Sequence, residues 1–211
     1  MKTVKFLFVL LFILSTPLQL FGRVTESAEN LLRIIHKVNR HWQENNSPQV
    51  RSFWDNAAYH TGNMEVYELT GNPPYLKYST DWAEYNHWKG AASDNKAEWK
   101  YGYGETPQYV LFGDWQCCFQ TYADLYGIRG DDRRIARARE VLEYQMGTDK
   151  NDYWWWADGL YMVMPVMTKL YRITKNPLYL EKLYEYFSYA DSVMYDPEAG
   201  LYYRDGSFVY P

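Results

Sequence analysis

Apolar residues recur every three to four positions over most of the chain beyond residue 25, interrupted by short polar breaks. That period predicts helices over Glu26–Asn45, Asp55–Thr70, Pro74–Trp88, Asp114–Gly127, Asp131–Met146, Asp158–Thr174 and Pro177–Val193. Two of the breaks share a pattern. Tyr67-Glu68-Leu69-Thr70-Gly71-Asn72-Pro73-Pro74-Tyr75-Leu76 parallels Tyr171-Arg172-Ile173-Thr174-Lys175-Asn176-Pro177-Leu178-Tyr179-Leu180. Tyr126-Gly127-Ile128-Arg129-Gly130-Asp131-Asp132 fits between them. Each break closes one helix with Gly or polar residues and opens the next with Asp or Pro, as an antiparallel helix hairpin requires. The unit is therefore a helix pair that repeats about every 45 to 60 residues.

Stacked helix pairs form either an open solenoid or a toroidal α/α barrel. The connectors favour the barrel. Residues 87–113 and 147–157 are long and rich in Trp, Tyr, Gly, Asp and Asn, and each leads into a helix that begins with Asp. Aromatic loops gathered at one end of a barrel would wall a pocket. On this reading the chain is all-α, each hairpin giving its first helix to an inner ring and its second to an outer ring. Asp55, Asp114 and Asp158 then sit at the loop-facing ends of three successive inner helices, and Asp131-Asp132 caps an outer one.

The first 22 residues read as an export signal. Lys2 and Lys5 form a basic start, Phe6–Leu14 is a continuous apolar run too short to span a bilayer, and Pro17 breaks it. Cleavage near Phe21-Gly22-Arg23 would leave residues 23–211 as one partial barrel domain in the periplasm or outside the cell. No Cys lies near this segment to carry a lipid, and no later stretch resembles a membrane span, so no stable membrane anchor is expected.

Composition changes the picture at one point, the aromatic residues. Nine Trp and 22 Tyr among 211 residues exceed what packing needs, and rings with a polar handle suit surfaces that are apolar on one side and wet on the other. Carbohydrate binding explains the excess. The formal charge of −4 argues against nucleic acid as a partner, since phosphate recognition needs a basic surface. A small acidic sugar remains compatible, because one local Arg or Lys could hold it. The two cysteines, Cys117 and Cys118, are adjacent within a predicted helix, where a disulfide between them would be strained, so both read as packed thiols. His36, His41, His60 and His87 are scattered, and nothing points to a metal or an organic cofactor.

The segment Trp154-Trp155-Trp156-Ala157-Asp158-Gly159-Leu160-Tyr161-Met162-Val163-Met164-Pro165 places a carboxylate behind a wall of indoles at a helix start. Aromatic faces stack on sugar rings, and a carboxyl beside large apolar groups holds its proton to higher pH, as an acid catalyst must. The plainer reading makes Asp158 and Asp114 helix N-caps, Met162 and Met164 core residues, and the three indoles a seal over the barrel end. Three consecutive indoles cannot all point inward, so at least one faces the cavity.

Asp158-Gly159-Leu160-Tyr161-Met162 with Pro165, the earlier Asp114-Trp115-Gln116 and the later Gly200-Leu201-Tyr202-Tyr203 resemble the unsaturated glucuronyl and rhamnogalacturonyl hydrolases, glycoside hydrolase families 88 and 105. The resemblance covers most of the mature chain and corresponds to the N-terminal half of a family member. It implies roughly the first half of an (α/α)6 barrel, and a truncated chain. It further implies an exported hydrolase acting on small, acidic, lyase-generated oligosaccharides. Protonation of C4 and addition of water at C5 of the unsaturated uronic ring give a hemiketal, whose collapse releases the neighbouring sugar. Asp158 matches the general acid/base and Asp114 the second carboxylate. Met162, one turn after Asp158, shares its face. Trp54, Tyr59, Trp155 and Trp156 are candidates for stacking or contact with sugar. Arg204-Asp205 stands where many relatives carry a His, and the family's downstream segment with Arg, Gly, Asn and Trp has no counterpart here. Arg204 is the candidate to compensate. Two other readings stay open: a different α/α-barrel carbohydrate enzyme, such as a mannan hydrolase or an epimerase, and a non-catalytic sugar-binding helical repeat.

Overall fold

The computed structural model describes residues 27–208. The basic and apolar stretch expected to direct export lies outside the described residues. The chain divides into two units, residues 1–47 and 48–211. The first contains helix α1, over residues 27–45. Its last turn is closed by side chains, Asn45 Nδ2 donating to the His41 carbonyl at 2.7 Å and Asn46 Nδ2 to that of Trp42 at 2.8 Å.

The second unit is built from α2 (Trp54–Thr70), α3 (Pro73–Tyr85), α4 (Gly113–Gln116), α5 (Cys118–Ile128), α6 (Arg133–Met146), α7 (Ala157–Thr174) and α8 (Leu178–Met194). α2 pairs with α3, α5 with α6, and α7 with α8. The first members, α2, α4–α5 and α7, also pack on one another, and α3, α6 and α8 lie outside them. This is the inner and outer layering of an α/α barrel arc. Its core is aromatic: Trp82, Trp154, Tyr122, Tyr153, Tyr179, Tyr186, Phe112 and Phe119 are fully buried. Among the described residues no helix is long and apolar enough to cross a membrane.

The repeated breaks fold alike because the same groups do the same work. Gly71 and Lys175 both end their helices in the left-handed conformation, at φ 66° and 59°, and donate to the carbonyls of Tyr67 and Tyr171. Thr70 and Thr174 donate to the carbonyl four residues back and accept from the backbone N–H of Asn72 and Asn176, each at 3.3 Å. Proline then starts the next hairpin arm.

Helix ends differ from expectation where side chains compete for the backbone. α3 stops at Tyr85 rather than Trp88. Asn86 Nδ2 donates to the carbonyls of Trp82 and Val50, and His87 and Trp88 turn left-handed. α6 begins at Arg133; its N-cap residue, Asp132, makes no side-chain cap bond, and the preceding Asp131 accepts the Arg133 backbone N–H at 3.2 Å through Oδ1. The predicted run Asp114–Gly127 is interrupted at Cys117. There the Trp115 carbonyl accepts from Cys118 Sγ and abuts Gly90, whose backbone comes so close that a Cβ would fall 2.0 Å from that oxygen. The long connector over 87–112 is clamped by the buried guanidinium of Arg137, which donates to the Ala91 and Ser93 carbonyls and lies over Trp99. Past α8, a two-residue antiparallel pair, Tyr195–Asp196 with Leu201–Tyr202, was not anticipated in an all-α chain. Asp196 Oδ1 accepts from Glu198 and Ala199, and Gly200 at φ 67° closes the turn.

Between α2 and α3, His60 is 2 % exposed and stacks on Trp82 with ring centroids 3.9 Å apart. Its Nδ1 meets Ser79 Oγ at 3.0 Å, and burial lowers its pKa to about 3.

Two outcomes follow from these contacts. Lys175→Gly should stabilise the chain by roughly 0.5–1 kcal/mol and Gly71→Ala destabilise it by about 1 kcal/mol. Both are readable from urea midpoints, and equal shifts for the two would contradict the left-handed assignment. In the unfolded chain His60 takes up a proton near pH 6.5, whereas in the fold it stays neutral to about pH 3. Stability is therefore lost as pH falls through that window, by up to ~1.4 kcal/mol per pH unit. His60→Asn should flatten this dependence between pH 6.5 and 4.5; parallel slopes would refute it.

Candidate active site

The N-terminal ends of α2, α4 and α7 meet around a cleft of about 720 Å³. Trp54 and Ala58 line it from α2, Asp114 from α4 with Cys117 just beyond it, and Asp158, Tyr161 and Met162 from α7. Tyr103 and Phe112 come from the first connector, Trp155 and Trp156 from the second, and Arg204 and Asp205 from the segment after the short strands.

Both candidate carboxylates occupy the second residue of their helix, and neither is a cap. The N-cap residues are Phe112 and Trp156, and no side chain caps either end. Asp114 is 6 % exposed, and its Oδ1 has no hydrogen-bond partner among the described residues. Asp158 is exposed on the cleft wall. Burial, then the negative charge of Asp158, then those of Glu105 and Asp55, push the Asp114 carboxyl up to about 7. The sequence had suggested an acid held protonated by apolar rings at Asp158. The carboxyl that is enclosed by the protein is instead Asp114, because all of α4 is buried, whereas Asp158 is the exposed residue in the first turn of α7.

The spacing between the two helix starts is set by Trp156. A Cβ on Gly113 would lie 2.9 Å from Trp156 Cη2, and one on Gly159 would lie 3.3 Å from the same ring. Each aspartate is thus adjacent in sequence to a glycine that makes room for this one indole. The backbone is pinned as well, Ala157 N–H donating to the Arg204 carbonyl at 2.7 Å and Trp156 bridging to Asp205.

Of the three indoles, Trp155 and Trp156 border the cleft. Trp155 lies nearly parallel to Phe112, at 13°. Trp154 turns into the core, edge-on to Tyr186 of α8. Met162 lies in the cleft wall, 5 % exposed. Pro165 deprives the Tyr161 carbonyl of its usual helical donor. Gln120 of α5 supplies the donor instead, its Nε2 reaching the carbonyls of Tyr161 at 2.9 Å and Met162 at 3.0 Å. Both cysteines are buried free thiols, as expected, and burial raises that of Cys117 to about 12.

Tyr59 is not among the residues that line the cleft. It stands edge-on to His60 and Tyr78, facing α3, because one step along a helix turns the side chain about 100° away from Ala58. Arg204 does line the cleft, but its guanidinium is held by Asp205 Oδ2 at 2.8–2.9 Å and lies 4.4 Å from the centre of the Phe208 ring. Sequence reasoning missed Ala58, Tyr103, Phe112, Cys117, Tyr161 and Asp205. Ala58 and Tyr161, four and three residues beyond Trp54 and Asp158, follow from helical spacing; the connector residues carry no such signal. Among the described residues no group of three His, Cys, Asp or Glu is placed to hold a metal.

Comparison with known proteins gives the family and the fold. Residues 28–211 match Glycosyl Hydrolase Family 88. The Unsaturated 3S-rhamnoglycuronyl hydrolase of Formosa agariphila is 26% identical over 165 residues, 74% of this chain and 41% of that protein. A solved structure described as a glycosyl hydrolase family 88 protein from Bacteroides vulgatus superposes with a TM-score of 0.86 at 69% identity, covering 87% of this chain and 53% of that one. Another, described as a polysaccharide lyase, gives a TM-score of 0.85 at 71% identity, covering 88% and 52%. The chain thus spans about half the length of these relatives or less.

The burial of Asp114 has a measurable consequence. Its carboxyl keeps a proton to about pH 7 in the fold but only to about pH 3.8 when unfolded. The native state holds the extra proton between those values, so wild-type stability falls as pH rises through the window, by up to ~1.4 kcal/mol per pH unit. Asp114→Asn should therefore gain stability relative to wild type from pH 4.5 to 7.5. A difference independent of pH, measured by urea unfolding, would show that the carboxyl is not enclosed as described.

Proposed function

Because the chain belongs to glycosyl hydrolase family 88, we propose that it removes unsaturated uronic acid residues from lyase-generated oligosaccharides. The carrying observation is the pair of carboxylates in one aromatic cleft, with Asp114 enclosed and its carboxyl pushed up to about 7 and Asp158 exposed on the cleft wall. The acid form of Asp158, on the cleft wall, gives a proton to C4 of the C4=C5 bond as positive charge develops at C5 and the ring oxygen. Water then adds at C5 and loses its proton to the same carboxylate. The C5 hemiketal opens to a ketone, the C1 hydroxyl so formed becomes an aldehyde, and the neighbouring sugar leaves with its hydroxyl restored. One water is consumed and no oxidant is needed. Asp114, whose carboxyl is pushed up to about 7, offers the bound ring a hydrogen bond from the cleft floor when it carries its proton. Trp155 and Trp156 offer faces to the sugar, and Met162 fills the wall beneath it. The basic and apolar start of the sequence supports export, so the substrate would be met outside the cytoplasm.

The similarity to a protein described as a polysaccharide lyase favours one competing reading, in which the cleft makes the unsaturated ring rather than consuming it. The enol-ether absorbance separates the two. The hydrolase reading expects absorbance to fall when the chain is given unsaturated disaccharides; the lyase reading expects it to rise on an intact polyuronide. Asp158→Asn should lower turnover by about a hundredfold or more while oligosaccharide binding persists. Equal rates for Asp158→Asn and wild type would remove Asp158 from the mechanism.

A further inference from the structure

Phe112 and Asp114 stand on either side of Gly113, so the backbone just before α4 decides where the floor carboxyl of the cleft lies. Val110, Leu111 and Phe112 are all buried, and carbonyls placed there need donors from the protein. Two glutamine side chains supply them. Gln116 Nε2 donates to the Val110 carbonyl at 3.2 Å, and Gln145 Nε2 donates to the Leu111 carbonyl at 3.2 Å. The two amides are also joined to each other, Gln116 Nε2 donating to Gln145 Oε1 at 3.1 Å.

We propose that Gln145, on the outer helix α6, is a positioning residue for Asp114: it holds the turn that keeps this carboxyl on the cleft floor. The proposal deepens the functional reading given above and rests on it for the kinetic arm of its test. Gln145 is buried and does not line the cleft, so it acts through Gln116 and the Leu111 carbonyl rather than on a ligand. Both ends of its amide are engaged, the oxygen accepting from α4 and the nitrogen donating to the connector. An apolar side chain would fill the same space but leave the Leu111 carbonyl and one hydrogen of Gln116 without these partners. The Gln145 backbone extends the link. Its carbonyl accepts from the Thr148 backbone N–H at 3.1 Å and from the Thr148 hydroxyl at 2.9 Å, and that hydroxyl meets the Tyr153 hydroxyl at 2.7 Å. Tyr153 directly precedes the three indoles. One outer-layer residue thus ties the connector that ends at Asp114 to the connector that ends at Asp158.

Gln145 is uncharged, so replacing it by another neutral residue leaves the charges around Asp114 as they are. Those that act on Asp114 are Asp158 of α7, Glu105 of the first connector and Asp55 of α2. Cys117 lies beyond α4, and Tyr103, Tyr161, Arg204 and Asp205 share the cleft wall. A change in the titration of Asp114 on replacing Gln145 therefore reports a change in its position or its access to water.

The test is carboxyl-carbon NMR on the whole chain labelled at aspartate, with Asp114→Asn identifying the resonance. The wild-type midpoint is expected at about 7. Gln145→Met, which keeps the length of the side chain without its amide, should lower that midpoint by about one pH unit as the turn relaxes and water reaches the carboxyl. Gln145→Asn, the milder change, should lower it by about half a unit and decides the matter if Gln145→Met does not fold. Ile135→Ala, a core substitution near the other end of α6, should weaken the fold and leave the midpoint in place. With an unsaturated disaccharide as substrate, the alkaline fall in kcat/KM should follow the midpoint down in Gln145→Met and stay in Ile135→Ala. A midpoint unmoved by the deciding Gln145 variant, or moved equally by Ile135→Ala, overturns the positioning role. Absence of wild-type turnover, or an alkaline limb that stays while the midpoint moves, overturns the functional reading and leaves the placing of Asp114 by Gln145 standing.

Discussion

One indole sets the geometry of the site. Trp156 lies between Gly113 and Gly159, and the residue next to each glycine is a site carboxylate, Asp114 on one side and Asp158 on the other. The two helices that carry them can approach only as far as this ring allows, and any side chain in place of Gly113 would push them apart. Interiors are packed too tightly to absorb such a change locally, so a methyl group here would move a helix start rather than a rotamer. The ring is itself fixed by the backbone bridge to Asp205 and by the Ala157 bond to Arg204. The last described segment thereby reaches the cleft end of the unit. Functional geometry thus depends on a packing contact rather than on a polar network.

A second constraint acts further down α7. Pro165 leaves the Tyr161 carbonyl without its helical donor, and Gln120 fills the deficit from α5 while also reaching the Met162 carbonyl. A buried amide is thereby spent on holding two inner helices in register at the level of the cleft. The arrangement turns what is a defect in an isolated helix into a crosslink. It also orients the cleft-facing side chains of α7 relative to Asp114, since α4 runs almost directly into α5.

The helices, the hairpin pairing and the gathering of three Asp-bearing helix starts were readable in the sequence because they depend on local chemistry. Periodicity marked the faces, and the Tyr-x-x-Thr-x-Asn-Pro breaks carried their own hydrogen bonds. The identity of the enclosed carboxyl was not readable. Asp114 and Asp158 have similar local surroundings, each beside a glycine and close to aromatic residues, and only the tertiary placement of Phe112 and Trp156 decides which is covered. Tyr59 was misplaced for a related reason. An aromatic residue near a site helix start is a candidate from composition alone, but a single helical step turns it toward α3. Tyr103 lay in a connector with no period to read, and its position depends on Gly104 meeting Tyr109 across the loop.

The unequal burial of the two carboxylates is what gives them different chemistry. An exposed pair would both be charged near neutrality and would repel a uronate together. An enclosed pair would both resist ionisation, and neither could take back a proton from water. Under the proposed function, placing one carboxyl behind Phe112 and the other on the cleft wall supplies a hydrogen-bonding carboxyl and an accessible acid/base in the same cavity. The cost is a buried oxygen on Asp114 without a partner among the described residues. A buried carboxyl oxygen of that kind costs the fold stability, so the position of Asp114 is not explained by packing alone.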